Sequence, residues 1–259
     1  MQSSVANFKQ SLASYDLWLT LAWMDVKLRY KRSGLGPFWI TLSMAIFCIT
    51  LGVVYSKLFK TDISEYLPFL SVGFVVWNFI SILLNEAPEV FVNNASYIKD
   101  MKVNFFNIIF RAVSKNTIIF IHNAVIIIGI YLYFGINPGS SVFLAVPGIA
   151  LVIANLWFIT ALIGLLGTRY RDITPINQSI IQIAFFITPI IWFPRLVSND
   201  SWIIAINPFA YFLEITRGPL LGTTPSLLAW IVCSCMLAIL AIITLLMYQI
   251  KARKLAFWL

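Results

Sequence analysis

The chain has 259 residues, of which 60% are hydrophobic and 11% are charged. A water-soluble domain normally has about 25% charged residues, so the composition excludes an ordinary soluble protein and indicates a membrane protein. The net charge of +8 does not require a nucleic-acid partner, because basic residues beside anionic lipid headgroups are common in membrane proteins.

Residues 15–32 form the first predicted element. Helix-forming residues dominate this stretch, no Pro or Gly interrupts it, and basic residues crowd its end. Trp18 and Trp23 suit the boundary between membrane and water. The pattern predicts an N-terminal interfacial helix. The residues before it are polar and mixed, so we expect no cleavable signal peptide.

Six apolar stretches are long enough to cross a bilayer, which takes about 20 residues of helix. They lack the alternation of a membrane β-strand. The sequence therefore predicts one all-α membrane domain over residues 1–259, with six transmembrane helices at residues 38–59, 66–85, 116–136, 142–166, 176–193 and 227–250.

The loop at residues 86–104 is the longest on its side of the predicted bundle. Pro88 can open a short helix, and Phe91, Ile98 and Met101 can share one face of it. We interpret this face as a docking site for a soluble partner. A surface helix that lies on lipid is the alternative.

Two further groups of basic residues lie on the same side as this loop. Arg111 and Lys115 are one helical turn apart just before the third span, and Arg169 and Arg171 flank a tight turn after the fourth. Loops rich in Lys and Arg stay in the cytoplasm. All 18 basic residues except Lys57, Lys60, Arg195 and Arg217 fall on this side, so we predict a multi-pass protein of the bacterial inner membrane with both termini cytoplasmic.

Within residues 196–222, the stretch from Trp202 to Thr216 is largely apolar but too short to cross the bilayer, and Asn207-Pro208 interrupts it. This segment predicts two re-entrant half-helices in the outer leaflet. Such a backbone is stable only where protein or a water-filled cavity surrounds it. Glu214 and Arg217 are ionisable groups in this segment. Ionisable groups at membrane depth indicate a functional role; the alternative is that these two, three residues apart on a helix, simply pair with each other. The candidate outer-gate residues are Asn207, Pro208, Glu214 and Arg217.

Catalytic and energy-converting motifs are missing from the sequence. It has no P-loop motif, a single histidine, and no cysteine pair at metal-ligand spacing. The span cores contain no Asp, Glu or Lys of the kind that proton-coupled transport uses. An acyltransferase site at His122-Asn123 would need an acid or nucleophile beside it, and a hydrogen-bonded packing pair is the alternative. We expect no enzyme activity, metal or cofactor in this chain, and an external source of energy.

Aromatic residues are abundant, with 21 Phe, 10 Tyr and 9 Trp. Aromatic faces inside the spans can stack on sugar rings, because such contacts are broad and weakly directional, although packing against lipid is the alternative for each of them. The candidate glycan-channel residues are Trp39, Phe74, Trp77 and Trp157.

Four motifs in order resemble the membrane subunit of type-2 ABC exporters, specifically the permeases that export O-antigen, capsule or teichoic acid. They cover the whole chain. One departure is Val103-Asn104, where many relatives have a Pro-Arg step. The motifs are Asp25 to Trp39, Arg169 to Ile173, Thr188 to Ile190 with Trp192 to Pro194, and Asn207 to Phe209 with Glu214 and Arg217.

The resemblance implies a homodimer with a channel between the two copies. It also implies two copies of a separate P-loop ATPase subunit, which would hold ATP and Mg²⁺, beneath the membrane. The loop 86–104 would be the cytoplasmic coupling helix. The candidate coupling residues are Phe91, Tyr97, Ile98 and Met101.

The resemblance further implies export of an undecaprenyl-diphosphate-linked polysaccharide, with O-antigen favoured over capsule or teichoic acid. Cations near the cytoplasmic leaflet would attract the diphosphate. A permease for a small lipophile, a membrane glycosyl- or acyltransferase and a passive channel are the rival interpretations. The candidate diphosphate-binding residues are Lys27, Arg29, Lys31, Arg32, Arg169 and Arg171.

Overall fold

The computed structural model describes residues 4–31, 38–101, 103–196 and 202–259. Regular structure in these ranges is helical, which confirms the all-α prediction. The helices are α1 (Ser4–Ala13), α2 (Tyr15–Tyr30), α3 (Phe38–Leu58), α4 (Ile63–Glu86), α5 (Ala95–Lys99), α6 (Phe105–Phe134), α7 (Val142–Arg169), α8 (Ile173–Ile187), α9 (Trp202–Ile206), α10 (Pro208–Leu220) and α11 (Leu227–Trp258).

Five helices are long and apolar enough to span a membrane: α3, α4, α6, α7 and α11. They confirm five of the six predicted spans. The predicted span at 176–193 is wrong at its end, because α8 stops at Ile187. Pro189 lacks a backbone N–H and disfavours helical geometry in Thr188. With 15 residues, α8 is about 22 Å long, so a sixth crossing stays a prediction.

The third span starts earlier than predicted, at Phe105 instead of residue 116. The sequence placed the boundary after Arg111 and Lys115 because charges are costly in hydrocarbon. Both cations are paired with carboxylates of neighbouring segments, so the helix continues through them. At the other end of the chain, α11 extends to Trp258, well beyond the predicted residue 250.

Helix α4 is the centre of the bundle, and α3, α6, α7, α8 and α10 all contact it. In its most apolar window 78% of the residues are buried, against 17% in α3 and 11% in α11. These two outer helices therefore leave most of their surface to lipid or to another protein. The start of α4 is capped by Asp62, whose carboxylate accepts hydrogen bonds from the hydroxyl and amide of Ser64, both at 2.7 Å. These bonds lower the pKa of Asp62.

Small residues permit close helix packing, which drives association where the surrounding lipid is as apolar as the side chains. At Gly148 in α7, an added methyl group would collide with the backbone carbonyl of Ile215 in α10. At Gly167, near the end of α7, it would collide with the backbone of Pro88. Helix α7 is thus fitted to α10 in one place and to the segment after α4 in another.

The bundle has two chemically different ends. We call one the basic end: it comprises α1, α2, residues 87–101, the start of α6 and the ends of α7 and α11. The opposite end comprises residues 59–62, 135–141, 188–196 and 202–226. Contacts between distant residues hold the opposite end together. The Tyr66 hydroxyl donates to the Ile191 carbonyl at 2.7 Å, and the Tyr131 hydroxyl donates to the Leu220 carbonyl.

The N-terminal helix α1 was not predicted. Its Phe8 inserts into an aromatic cluster with Phe106, Phe110, Trp157 and Phe158, with ring centroids 5.1–6.1 Å apart. Helix α2 forms where the sequence predicted a helix and packs along α6. Its position at the membrane surface stays a prediction.

Candidate functional site

The predicted diphosphate-binding cations that the structure describes lie in two segments, α2 and the end of α7 with the turn after it. Arg29 in α2 lies 3.8 Å from Glu86, and its side chain is 42% exposed. Lys27 lies over the Trp23 ring at 5.5 Å, and Lys31 is exposed. Arg32 lies outside the described residues. The α2 group therefore presents accessible positive charge at the basic end.

Arg169 and Arg171 belong to a different part of the basic end. The Arg169 guanidinium lies 5.0 Å from the Tyr170 ring and 5.2 Å from the Trp258 ring. It thus contacts the end of α11, while the α2 cations lie on the helix that packs against α6. Arg171 is exposed at the start of the short loop that leads to α8.

A charge network between α2, α4 and α6 was not predicted. Arg111 donates to both oxygens of Asp25 at 2.7 Å and to Asn94 Oδ1 at 3.0 Å. One turn later, Lys115 donates to Glu86 at 2.7 Å. These groups line a cleft of about 370 Å³. The available signals in the sequence were the Asp25 carboxylate next to the basic residues at the end of this helix, and the two cations Arg111 and Lys115 one turn apart.

The predicted coupling residues face in two directions, so the shared face predicted for Phe91, Ile98 and Met101 is wrong. Phe91 and Ile98 are buried, while Met101 is 67% exposed. The Phe91 ring contacts Tyr248 at 6.3 Å because the segment folds back onto the bundle. Tyr97 lies 4.8 Å from the Arg111 guanidinium. The buried residues fix the segment, and the exposed part is available to another protein.

The predicted channel residues also separate. Trp157 is 4% exposed and lies inside the aromatic cluster around Phe8, so it has a packing role. Trp39 is exposed on α3. Phe74 contacts Phe185 on α8 at 6.3 Å, and Trp77 contacts the same ring at 5.9 Å. Phe74 and Trp77 therefore lie against α8, and Trp77 is as buried as Trp157, at 4% exposed.

A polar face on α8 lies beside Trp77. Gln178 and Gln182 are one turn apart and exposed, and with Asn85 of α4 they line a cleft of about 490 Å³. Within the described part of the chain, Asn85 Oδ1 is buried and has no hydrogen-bond partner. Sequence reasoning missed this face, although the (i, i+4) spacing of two glutamines in an apolar helix was visible.

The predicted outer-gate residues fasten α10 to its neighbours. Asn207 accepts a hydrogen bond from the Phe209 amide at 3.0 Å and donates one to Thr188 at 2.9 Å. Pro208 occupies the first turn of α10, where its missing N–H has no cost. The two short helices α9 and α10 agree with the predicted break at Asn207-Pro208.

Glu214 and Arg217 do not form the mutual ion pair that was one interpretation of the sequence. Arg217 is buried, donates to the Pro189 carbonyl at 2.6 Å and lies 3.9 Å from the Phe69 ring. Glu214 accepts a hydrogen bond from the Ser226 amide at 2.8 Å, at the start of α11. Helix α10 is therefore attached at both ends to the Thr188-Pro189 break.

His122 and Asn123 fit the packing interpretation. His122 Nδ1 lies 2.9 Å from the Ile118 carbonyl of its own helix, and the buried Asn123 accepts a hydrogen bond from Thr41 at 3.4 Å. In the described ranges, no group of three or more His, Cys, Asp or Glu side chains could hold a metal ion.

Comparison with known proteins matches residues 16–221 to a family described as ABC-2 type transporter. The O-antigen export system permease protein RfbA of Klebsiella pneumoniae is 25% identical over 198 residues, which is 76% of this chain and 76% of the relative. A protein of the same name from Myxococcus xanthus is 18% identical over 195 residues, covering 74% and 75% of the two chains.

Proposed function

Because the chain belongs to the ABC-2 type transporter family, we propose that it is the membrane subunit of an ATP-driven exporter of lipid-linked polysaccharide. The proposed substrate is an undecaprenyl-diphosphate-linked glycan. Among such glycans we favour O-antigen, because the relatives are named for O-antigen export. The complex works in the bacterial inner membrane, with the basic end in the cytoplasm.

The polar face of α8 is the observation that carries the glycan part of this proposal. A carboxamide held in hydrocarbon without a partner costs about 2–7 kcal/mol, so Gln178 and Gln182 favour a surface that meets water or substrate instead of lipid. Carboxamides offer donors and acceptors to sugar hydroxyls. Trp77 lines the same cleft but is only 4% exposed. Two copies of the chain that face each other across this surface would enclose a glycan path.

The α2 cations are proposed to receive the diphosphate of the lipid carrier. Arg29 is partly exposed, and among the described residues its one carboxylate contact is long, at 3.8 Å, so it can turn to a phosphate at little cost. Lys27 and Lys31 extend the same positive surface, with Arg32 following them in the sequence. Arg169 and Arg171 are a second proposed contact for the carrier.

The energy source is proposed to be a separate ATPase subunit, present in two copies and holding ATP and Mg²⁺. Its docking site is the exposed side of residues 87–101, where Val92 and Met101 are accessible. Phe91 and Ile98 support this surface from inside, and Tyr97 connects it to Arg111.

The first experiment is deletion of the gene, followed by identification of the lipid-linked polymer that accumulates inside the cell. Accumulated O-antigen supports the proposal. Accumulated capsule or teichoic acid would reassign the substrate, and normal export of all three would contradict the proposal and favour a small-lipophile permease.

The second experiment tests the polar face directly. Gln178→Leu and Gln182→Leu should reduce export strongly without lowering the amount of protein in the membrane. Ser179→Ala is the matched control, since the Ser179 hydroxyl is exposed and bonds to the Pro175 carbonyl of its own helix. Normal export in both leucine variants would remove α8 from the glycan path.

A further inference from the structure

Arg111 in α6 contacts two other segments, α2 and residues 87–101. It binds both carboxylate oxygens of Asp25 in α2, at 2.7 Å each, and Asn94 in the segment after α4 at 3.0 Å. The Tyr97 ring lies 4.8 Å from its guanidinium. The side chain is only 13% exposed. A bidentate Arg–carboxylate pair fixes orientation as well as distance.

Other polar contacts near α2 are weaker or connect different elements. Lys115 and Asn116 donate to Glu86 at 2.7 and 2.9 Å, which joins α6 to the end of α4. Arg29 approaches Glu86 from α2, but at 3.8 Å and with both side chains at least one-third exposed. Exposed pairs of this kind hold little energy. Arg111 is therefore the strongest polar link between α2 and residues 87–99 in the described part of the chain.

We propose that Arg111 is a positioning residue that transmits movement of the ATPase-docking segment to α2. The inference rests on the proposed function, since it assumes that an ATPase docks on residues 87–101 and that α2 meets the anionic head of the substrate. Displacement of Asn94 and Tyr97 would move the guanidinium, and its two bonds to Asp25 would pull α2 with it.

The direct test is hydrogen–deuterium exchange on the complex with its ATPase subunit, without nucleotide and with a non-hydrolysable ATP analogue. In the wild-type complex, the analogue should change exchange in peptides from residues 87–101 and in those from residues 15–31. In Arg111→Lys, which keeps the charge but cannot make the bidentate pair, the change should persist in 87–101 and disappear from 15–31.

The second measurement compares ATP hydrolysis with glycan transport in proteoliposomes. Coupling free energies between sites correspond to about 5- to 150-fold effects. We accordingly expect Arg111→Lys to use about tenfold more ATP per glycan moved. Asp25→Asn removes the same link from the α2 side and should give the same result. It also serves as the test if Arg111→Lys does not assemble with the ATPase.

The matched control is Arg195→Lys. Arg195 pairs with Glu65 at 2.7 Å, but both side chains are at least half exposed and lie at the opposite end of the bundle. This variant should keep wild-type exchange and coupling. The inference is overturned if α2 still responds to nucleotide in both Arg111→Lys and Asp25→Asn. A wild-type complex that moves no glycan with ATP would instead overturn the proposed function.

Discussion

The close approach of α7 and α10 predicts how differently two glycine-to-alanine substitutions, at Gly148 and at Gly129, change the stability of the protein. Gly148→Ala places a methyl group against the Ile215 backbone carbonyl, which cannot move aside as a flexible side chain could. At Gly129 in α6 an added methyl group meets nothing within 4 Å. Both substitutions replace glycine by alanine within a long helix, so both gain the same helix propensity. Only Gly148→Ala adds a collision with a neighbouring backbone.

The shared term favours alanine by about 1 kcal/mol. The collision should cost about 1–3 kcal/mol or more, as overpacking does in well-packed cores. Because the shared term cancels, the two variants should differ in stability by about 1–3 kcal/mol or more, with Gly129→Ala at or above the wild type and Gly148→Ala at or below it.

The assay is thermal unfolding of the purified protein in one detergent, followed by the loss of the monodisperse peak on size-exclusion chromatography. The apparent midpoints of the two variants are compared with that of the wild type under identical heating. Equal midpoints for Gly148→Ala and Gly129→Ala would refute the tight packing of α7 on α10.

Three other outcomes follow from the same structure. Trp157→Ala should lower the unfolding midpoint, because it empties part of the cluster around Phe8. Trp77→Ala should lower it too, because Trp77 is as deeply buried as Trp157, at 4% exposed; an unchanged midpoint in either variant would contradict the packing role of that ring. Asn207→Ala removes a helix cap worth about 1 kcal/mol and the bond to Thr188, so protease cleavage near residues 202–207 should become faster. Unchanged cleavage would show that α10 does not depend on this cap.

The sequence predicted the membrane helices well because the rule involved is local. A run of apolar residues that matches the thickness of hydrocarbon must form a helix, whatever it later packs against. The break at Asn207-Pro208 was predictable for a similar reason, since Asn is a good helix cap and Pro suits the first turn. The match to the ABC-2 type transporter family confirms the resemblance drawn from the motifs.

What the sequence did not predict depends on residues far apart in the chain. Helix α6 begins before the predicted residue 116 because Arg111 and Lys115 pair with carboxylates that lie 86 and 29 residues away in the chain. The position of Trp157 depends on Phe8, which belongs to an N-terminal helix with no strong apolar pattern. The spacing of Glu214 and Arg217 favoured a mutual pair, but the groups around each of them come from other segments.

The central claim is tested most directly by reconstituting the purified chain with its ATPase subunit in liposomes that contain a lipid-linked glycan. A lectin that cannot cross the membrane reports glycan on the far side. The account predicts that lectin binding rises only when ATP, Mg²⁺ and both subunits are present. Glycan transfer by this chain without the ATPase subunit, or ATP hydrolysis by the full complex without transfer of any of the three classes of polymer, would contradict it.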